Sequence, residues 1–254
     1  MLAVLAPAAI VSCLAVTPSL DAEIGRRALP WLPPDLGRQV ARRPKDFARG
    51  IAAARAWPAA LHTPGGTGGL EVAIVAQCQR IAAAMRNRAP MAEVVAGMGT
   101  LAHLAADLAS PFADARGHDP HAAAFSAYLS AVAPRVPVVF YGQDHAMVTG
   151  PPTGVSPMLA RRRHESRRLA PIVRADLDRL GGANAWPRLD DRSSTFGAAS
   201  ISLNHAISDF VNLASWAWYH GGGLVPRIDA PAGSILVWIG EPKPRETTSP
   251  RLRF

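Results

Sequence analysis

Apolar residues recur three and four positions apart along most of this chain, which is the spacing of one buried helical face. The pattern predicts helices over Asp21 to Leu29, Asp35 to Trp57, Leu70 to Arg86 and Met91 to Leu108. It resumes from Pro120 to Val132, from Met158 to Leu180 with a kink at Pro171, and from about Ala198 to His220. Proline and glycine clusters punctuate it at Pro30 to Pro34, at Asn87 to Pro90, at Gly150 to Gly154 and at Gly221 to Gly223. The glycine-rich stretch Thr63 to Gly69 lacks a closing Gly-Lys-Ser or Gly-Lys-Thr, so it reads as a linker and not as a phosphate-binding loop. Two segments depart from helical periodicity: Pro134 to Tyr141 reads as extended chain, and Ser234 to Ile239 as one short strand. The fold class is therefore all-α, a single multi-helix domain over residues 16–225, with short extended segments near 134–141 and 234–239 and a loose C-terminal extension over 226–254.

The first sixteen residues carry no charge and are apolar apart from Pro7 and Ser12. That run is shorter than the roughly 20 residues a bilayer span requires, and Pro7 interrupts it. It reads as the core of a signal peptide, residues 1–15, with cleavage after Ala15 and export of the protein as a secreted or periplasmic species. Two alternatives stand beside this. Ile10-Val11-Ser12-Cys13 resembles a bacterial lipoprotein cleavage box, which would leave Cys13 lipid-anchored, and the run would also serve as a cytosolic first helix.

Composition narrows the chemistry. With 254 residues, 49% hydrophobic and 18% charged, there is ample apolar surface to offset the entropy of ordering a core. Two cysteines exclude a disulfide framework and a thiolate zinc cluster, so any metal must be held by His, Asp or Glu. Cys78, in a helical run, reads as a small packed hydrophobe. The formal charge of +8 comes almost wholly from arginine, since Lys45 and Lys243 are the only lysines among 27 basic residues. A GC-rich coding sequence and an anionic partner both account for that bias. The arginines at 161, 162, 163, 167 and 168 are compatible with phosphate or nucleic acid. A solvated helix face is the commoner origin of such a run, which leaves nucleic acid the less favoured partner. No Gly-x-Ser-x-Gly elbow and no dinucleotide fingerprint is present.

Chemistry concentrates in Gly99 to Pro111. His103 and Asp107 are four residues apart, so at about 100° per residue an imidazole nitrogen and a carboxylate oxygen share one helical face and can hold a cation. A hydrogen-bonded structural pair is the other reading of the same spacing. A second such pair, His205 and Asp209, sits in the apolar Ile201 to Trp218 run; there a satisfied core pair outweighs a ligand pair, with Asp209 open to solvent as one option. Between them, Asp114, His118, Asp119 and His121 occupy a loop that reads equally as a source of further ligands or as a solvated turn. His62, beside the glycine-rich stretch, is a weaker candidate, and His145, His164 and His220 show no partner pattern.

The segment Gly99 to Pro111 resembles the His-x-x-x-Asp helix, followed by proline, of the zinc-dependent phospholipase C group, which shares its fold with single-strand-specific zinc nucleases. Val16-Thr17-Pro18-Ser19-Leu20-Asp21 resembles that family's mature start, usually Trp-Gly-Pro-x-Thr-His, and Leu29 to Pro34 and Pro44 to Ala53 continue the likeness. The resemblance implies an all-helical exported protein with a cluster of three zinc ions that cleaves phosphodiesters, acting on phospholipid or another phosphodiester, with an anionic membrane surface as a further partner. His103 and Asp107 then fall on two zinc ligands. Val16 stands where the family has Trp, Asp21 where it has His, Ala54 or Arg55 near its aspartate, Ala113 near a further histidine, and His121 keeps a later histidine whose acid is replaced by Phe125. Arg55 beside a cation site would repel metal. These departures imply a reduced or degenerate zinc site drawn from His103, Asp107, His121, Asp114 and Asp21, or a non-catalytic helical scaffold or binding protein of the same fold.

Overall fold

In a computed structural model of the chain, the described residues are 19–65, 68–115 and 118–227, together with the backbone of 236–238. The apolar leader, its cleavage region and nearly all of the C-terminal extension lie outside them. The described chain is an all-α domain. Helices α1 (Leu20–Ala28), α2 (Pro34–Arg42), α3 (Pro44–Arg55), α4 (Leu70–Arg86) and α5 (Met91–Ala109) form the first half. Helices α6 (Pro120–Val132), α7 (His145–Thr149), α8 (Val155–Arg167), α9 (Ala170–Arg179) and α10 (Ser194–His220) form the second.

Proline sets many of these boundaries. It occupies the first turn of α2, α3, α6 and α9, where a missing backbone N–H costs nothing because no intrahelical acceptor exists there. The continuous helix expected over Asp35 to Trp57 is accordingly two: Arg43 lies outside the helical region at φ −129°, ψ 53°, and Pro44 starts α3. Pro171 acts in the same way, so the basic run expected as one kinked helix is α8 followed by α9. Side chains cap the starts of α1, α7, α10 and also α6, with Ser19, Asp144, Ser193 and Asp119 each accepting a hydrogen bond from a backbone N–H of the following turn.

The core is built on α5 and α10, whose middle turns are buried on nearly every side. Helix α5 packs against α3, α4, α10 and α1, and α10 against α4 and α1 in turn. The approach of α3 to α5 is close enough to require glycine: a Cβ at Gly50 would overlap the Ala96 carbonyl, and one at Gly99 would overlap the Phe47 carbonyl. Thr100 pins the same crossing by donating its hydroxyl to the Gly50 carbonyl at 3.0 Å. This fixes the register of α5, and with it the position of His103 one turn further on.

The extended segment is also held by α10. Asn204, Ser208 and Asn212, one turn apart on α10, accept from the backbone N–H groups of Val139, Tyr141 and Asp144 at 2.9, 3.1 and 2.8 Å. The Asn204 and Asn212 amides donate to the carbonyls of Pro137 and Gly142, each at 3.1 Å. A polar stripe on an otherwise apolar helix thus replaces the missing strand neighbour for this segment. Its other edge pairs antiparallel: β1 (Val138–Phe140) meets β2 (Leu236–Trp238) with Val139 opposite Val237. No helix among the described residues is long and apolar enough to cross a membrane.

Candidate metal centre

His103 and Asp107 sit on the fourth and fifth turns of α5, buried at 5% and 7% relative exposure among Leu101, Leu104 and Leu108. Two further residues converge on them. Asp21, in the first turn of α1, receives a hydrogen bond from His103 Nδ1 at 3.0 Å. His62, at the end of the short 3₁₀ turn Ala59–His62, places Nδ1 2.6 Å from Asp107 Oδ2. His103 Nε2 is 3.5 Å from that same oxygen, and the two imidazole rings lie 5.1 Å apart at 73°.

Proton positions are dictated by the partners. Ionised carboxylates only accept, so Nδ1 of His103 carries the proton shared with Asp21, and Nδ1 of His62 the proton shared with Asp107. In neutral rings the two Nε2 atoms then hold lone pairs. Both are buried and have no hydrogen-bond partner. Leaving an acceptor unmet in an apolar interior is costly; at His103 Nε2, 3.5 Å from Asp107 Oδ2, a cation removes that cost. Because His62 faces the same oxygen through Nδ1, a cation shared by all three would stand in place of the proton between His62 and Asp107. One ligand atom from each of His62, His103 and Asp107 can be chosen so that all lie within 4.8 Å of one another, and this group could hold a metal ion. Asp21 then plays the part that outer carboxylates commonly play at metal sites, fixing the tautomer and plane of a liganding histidine.

The site opens on a cleft of about 710 Å³ whose walls include Trp57, Phe112, Phe125 and Leu129 on the apolar side and Asp21 and Arg55 on the polar side. Arg55, the last residue of α3, donates from Nε at 3.1 Å and Nη2 at 2.7 Å to Asp21 Oδ2. Burial opposes the charge on Asp21, yet the hydrogen bonds and charges of His103 and Arg55 hold its carboxyl below the ordinary carboxylate value. The repulsion expected between Arg55 and a cation is therefore met by a carboxylate standing between them.

The other candidates lie elsewhere. His121 spends both ring nitrogens on carboxylates, Nδ1 on Asp119 and Nε2 on Asp178, each at 2.9 Å, and Asp119 is also bound by Arg174. Asp114 accepts from Arg163 Nε at 3.0 Å near the surface. Neither belongs to the three-residue group. Phe125, standing where the resemblance called for an acid, is buried at 2% exposure in the cleft wall.

Asp209 is not open to solvent; it is buried at 3% exposure and bound by Arg162 through Nε at 2.6 Å and Nη2 at 3.1 Å. Part of the expected solvated arginine face is thus internal: Arg162 reaches α10, while Arg163 bridges Asp114 and Glu71. Burial first, and the charge of Arg162 second, push the His205 imidazole down to about 3.

The residue that the sequence undervalues is His62. Its register is not helical and its partner is 45 residues away, so no spacing rule reaches it. The available signal is its setting, a histidine in the apolar segment Trp57-Pro58-Ala59-Ala60-Leu61 just before a helix that packs on α5. No protein-family model matches the chain, and no curated protein matches it in sequence.

Proposed function

We propose that the protein is a phospholipase C-like phosphodiesterase with a reduced zinc site, in which His62, His103 and Asp107 are the ligands. The observation that supports this most is a buried group of two imidazoles and one carboxylate, with His103 Nε2 unpartnered beside Asp107, at the wall of an accessible cleft. Two imidazoles and a carboxylate are a donor set common to catalytic zinc, which leaves a coordination position for water or substrate. When bound, zinc supplies a water of lowered pKa and a positive charge at the phosphoryl oxygens.

The chain's own residues prepare that chemistry. Asp21 holds His103 in the tautomer that presents Nε2 beside Asp107, and His62 Nδ1 and Asp107 Oδ2 face each other at 2.6 Å, where the cation would replace their shared proton. The wall formed by Phe112, Phe125 and Leu129 accepts the apolar part of a substrate and sheds water from it. A lipid diester suits a cleft of this character, and an anionic membrane surface suits the basic chain.

Zinc content of the purified protein, zinc titration by calorimetry and hydrolysis of bis(4-nitrophenyl) phosphate test the reading together. One zinc per chain is expected, with binding and hydrolysis both lost in His62→Ala and in His103→Ala. Zinc binding without hydrolysis would favour the non-catalytic scaffold reading, which the presence of a single such three-donor group among the described residues also supports. No zinc binding at all would end the enzymatic reading.

A further inference from the structure

We infer that Arg55 is the residue that binds the substrate anion in this cleft, gripping a phosphodiester monoanion beside the His62, His103 and Asp107 group; this rests on the metal-dependent reading above. Arg55 is placed for it by geometry. Its side chain lines the cleft and is 49% exposed, while the Asp21 side chain that holds it is only 6% exposed. Nε and Nη2 are both committed to Asp21 Oδ2, and Nη1 makes no protein hydrogen bond among the described residues. The guanidinium is thus oriented from one side and has donors left on the other.

That same Asp21 oxygen accepts from His103 Nδ1. One carboxylate oxygen therefore ties the guanidinium to the imidazole, and the orientation of Arg55 is referenced to the ligand group itself. Such shared anchoring is what lets a donor meet a phosphoryl oxygen without reorganising as the substrate arrives.

Charge supplies the second argument. Asp21 and Asp107 together cancel a divalent cation, so with neutral histidines the loaded site has no net attraction for an anion until Arg55 is counted. With Arg55 it carries one net positive charge, which matches the single negative charge of a phosphodiester. Before the cation binds, the two carboxylates outweigh Arg55 and the site is negative, so it attracts metal first and anion second. A planar guanidinium is also suited to the task by shape, because its remaining N–H groups can engage phosphoryl oxygens while the other edge stays on Asp21; an ammonium group is a point charge without that fixed fork.

The test titrates dimethyl phosphate, a diester monoanion, and trimethyl phosphate, its neutral analogue, into zinc-loaded protein by NMR, with zinc affinity measured separately on each variant by calorimetry. In the parent, dimethyl phosphate should bind more tightly than trimethyl phosphate. In Arg55→Gln that preference should fall about 10- to 100-fold, the scale of a charge-assisted hydrogen bond, while one zinc per chain is still bound. Should Arg55→Gln fail to fold, Arg55→Lys carries the test: it keeps the charge but loses the fork, and the preference should still fall several-fold. An unchanged preference in a folded, zinc-loaded variant overturns the role of Arg55 and leaves the metal reading standing. A parent that binds no zinc overturns both.

Discussion

Two His-x-x-x-Asp pairs lie on the two central helices, His103 and Asp107 on α5 and His205 and Asp209 on α10, with the same spacing and both acids buried. What separates them is what crosses from the neighbouring elements. Onto Asp209 comes a guanidinium: Arg162 from α8 closes the carboxylate with two hydrogen bonds and supplies its counter-charge internally. Burial still pushes the Asp209 carboxyl up, against the pull of Arg162. Onto Asp107 comes an imidazole from His62, which meets the carboxylate through Nδ1 beside the unpartnered Nε2 of His103. On α10 the carboxylate is satisfied by protein alone, although His205 Nδ1 is buried without a hydrogen-bond partner; on α5 two imidazoles and one carboxylate face each other. A helical spacing proposes a site, and the residue arriving from another element decides whether it is a clasp or a receptor.

The comparison predicts its largest effect at Arg162. Arg162→Met leaves Asp209 as an uncompensated buried charge and should cost about 3–5 kcal/mol in urea denaturation, whereas pairing it with Asp209→Leu should restore most of that loss. A loss below about 1 kcal/mol would mean that the clasp is not what distinguishes the two pairs.

Next comes the cation. Zinc at 100 times its dissociation constant should stabilise the protein by about 2.7 kcal/mol, and a chelator should remove that increment. Asp107→Asn should abolish the chelator effect and Asp209→Asn should leave it intact. A chelator effect that survives Asp107→Asn, or vanishes in Asp209→Asn, assigns the metal to the wrong helix.

The His205 imidazole gives a pH signature of its own. Its folded value of about 3 lies below the unfolded 6.5, so between these the unfolded chain binds the extra proton. Its contribution to stability is thus fully present above pH 6.5 and is lost as pH falls toward 3, at up to about 1.4 kcal/mol per pH unit. Denaturation midpoints measured from pH 7 to pH 5 in chelator should decline in the parent and decline less in His205→Asn. Equal slopes would place the titrating group elsewhere.

Much of this architecture is legible from periodicity. The helix expected over Leu70 to Arg86 and the one from Pro120 to Val132 appear with those bounds, because apolar spacing and flanking Gly or Pro act locally. The break at Arg43 is hidden because the apolar spacing runs through Pro44 without interruption, although the ring of Pro44 cannot continue a helix from the preceding turn. The extended segment at 138–140 is visible as a β-branched run, but its anchoring on Asn204, Ser208 and Asn212 is not, since those residues read as ordinary polar positions until a partner backbone lies along them. The site divides in the same way. His103 and Asp107 are joined by one helix, so their spacing reveals them; Asp21 emerges through the resemblance at the start of the chain; His62 arrives by tertiary packing, which no local pattern records.

The smallest effect bears on the loop beyond α5, where the sequence offers Asp114 and His121 as candidate ligands. In the structure Asp114 belongs to a surface ion pair with Arg163 and His121 to a bridge between Asp119 and Asp178. Exposed pairs of this kind contribute up to about 1 kcal/mol, so Asp114→Ala should shift stability by no more than that and leave zinc affinity unchanged. His121→Ala removes one hydrogen bond from α6 to α9, and because the residue shares no donor with His62 or His103 its zinc affinity should also match the parent. Calorimetric zinc titrations of the two variants decide this. A tenfold weakening in either would bring the loop into the site and make the α5 group larger than the three residues that now compose it.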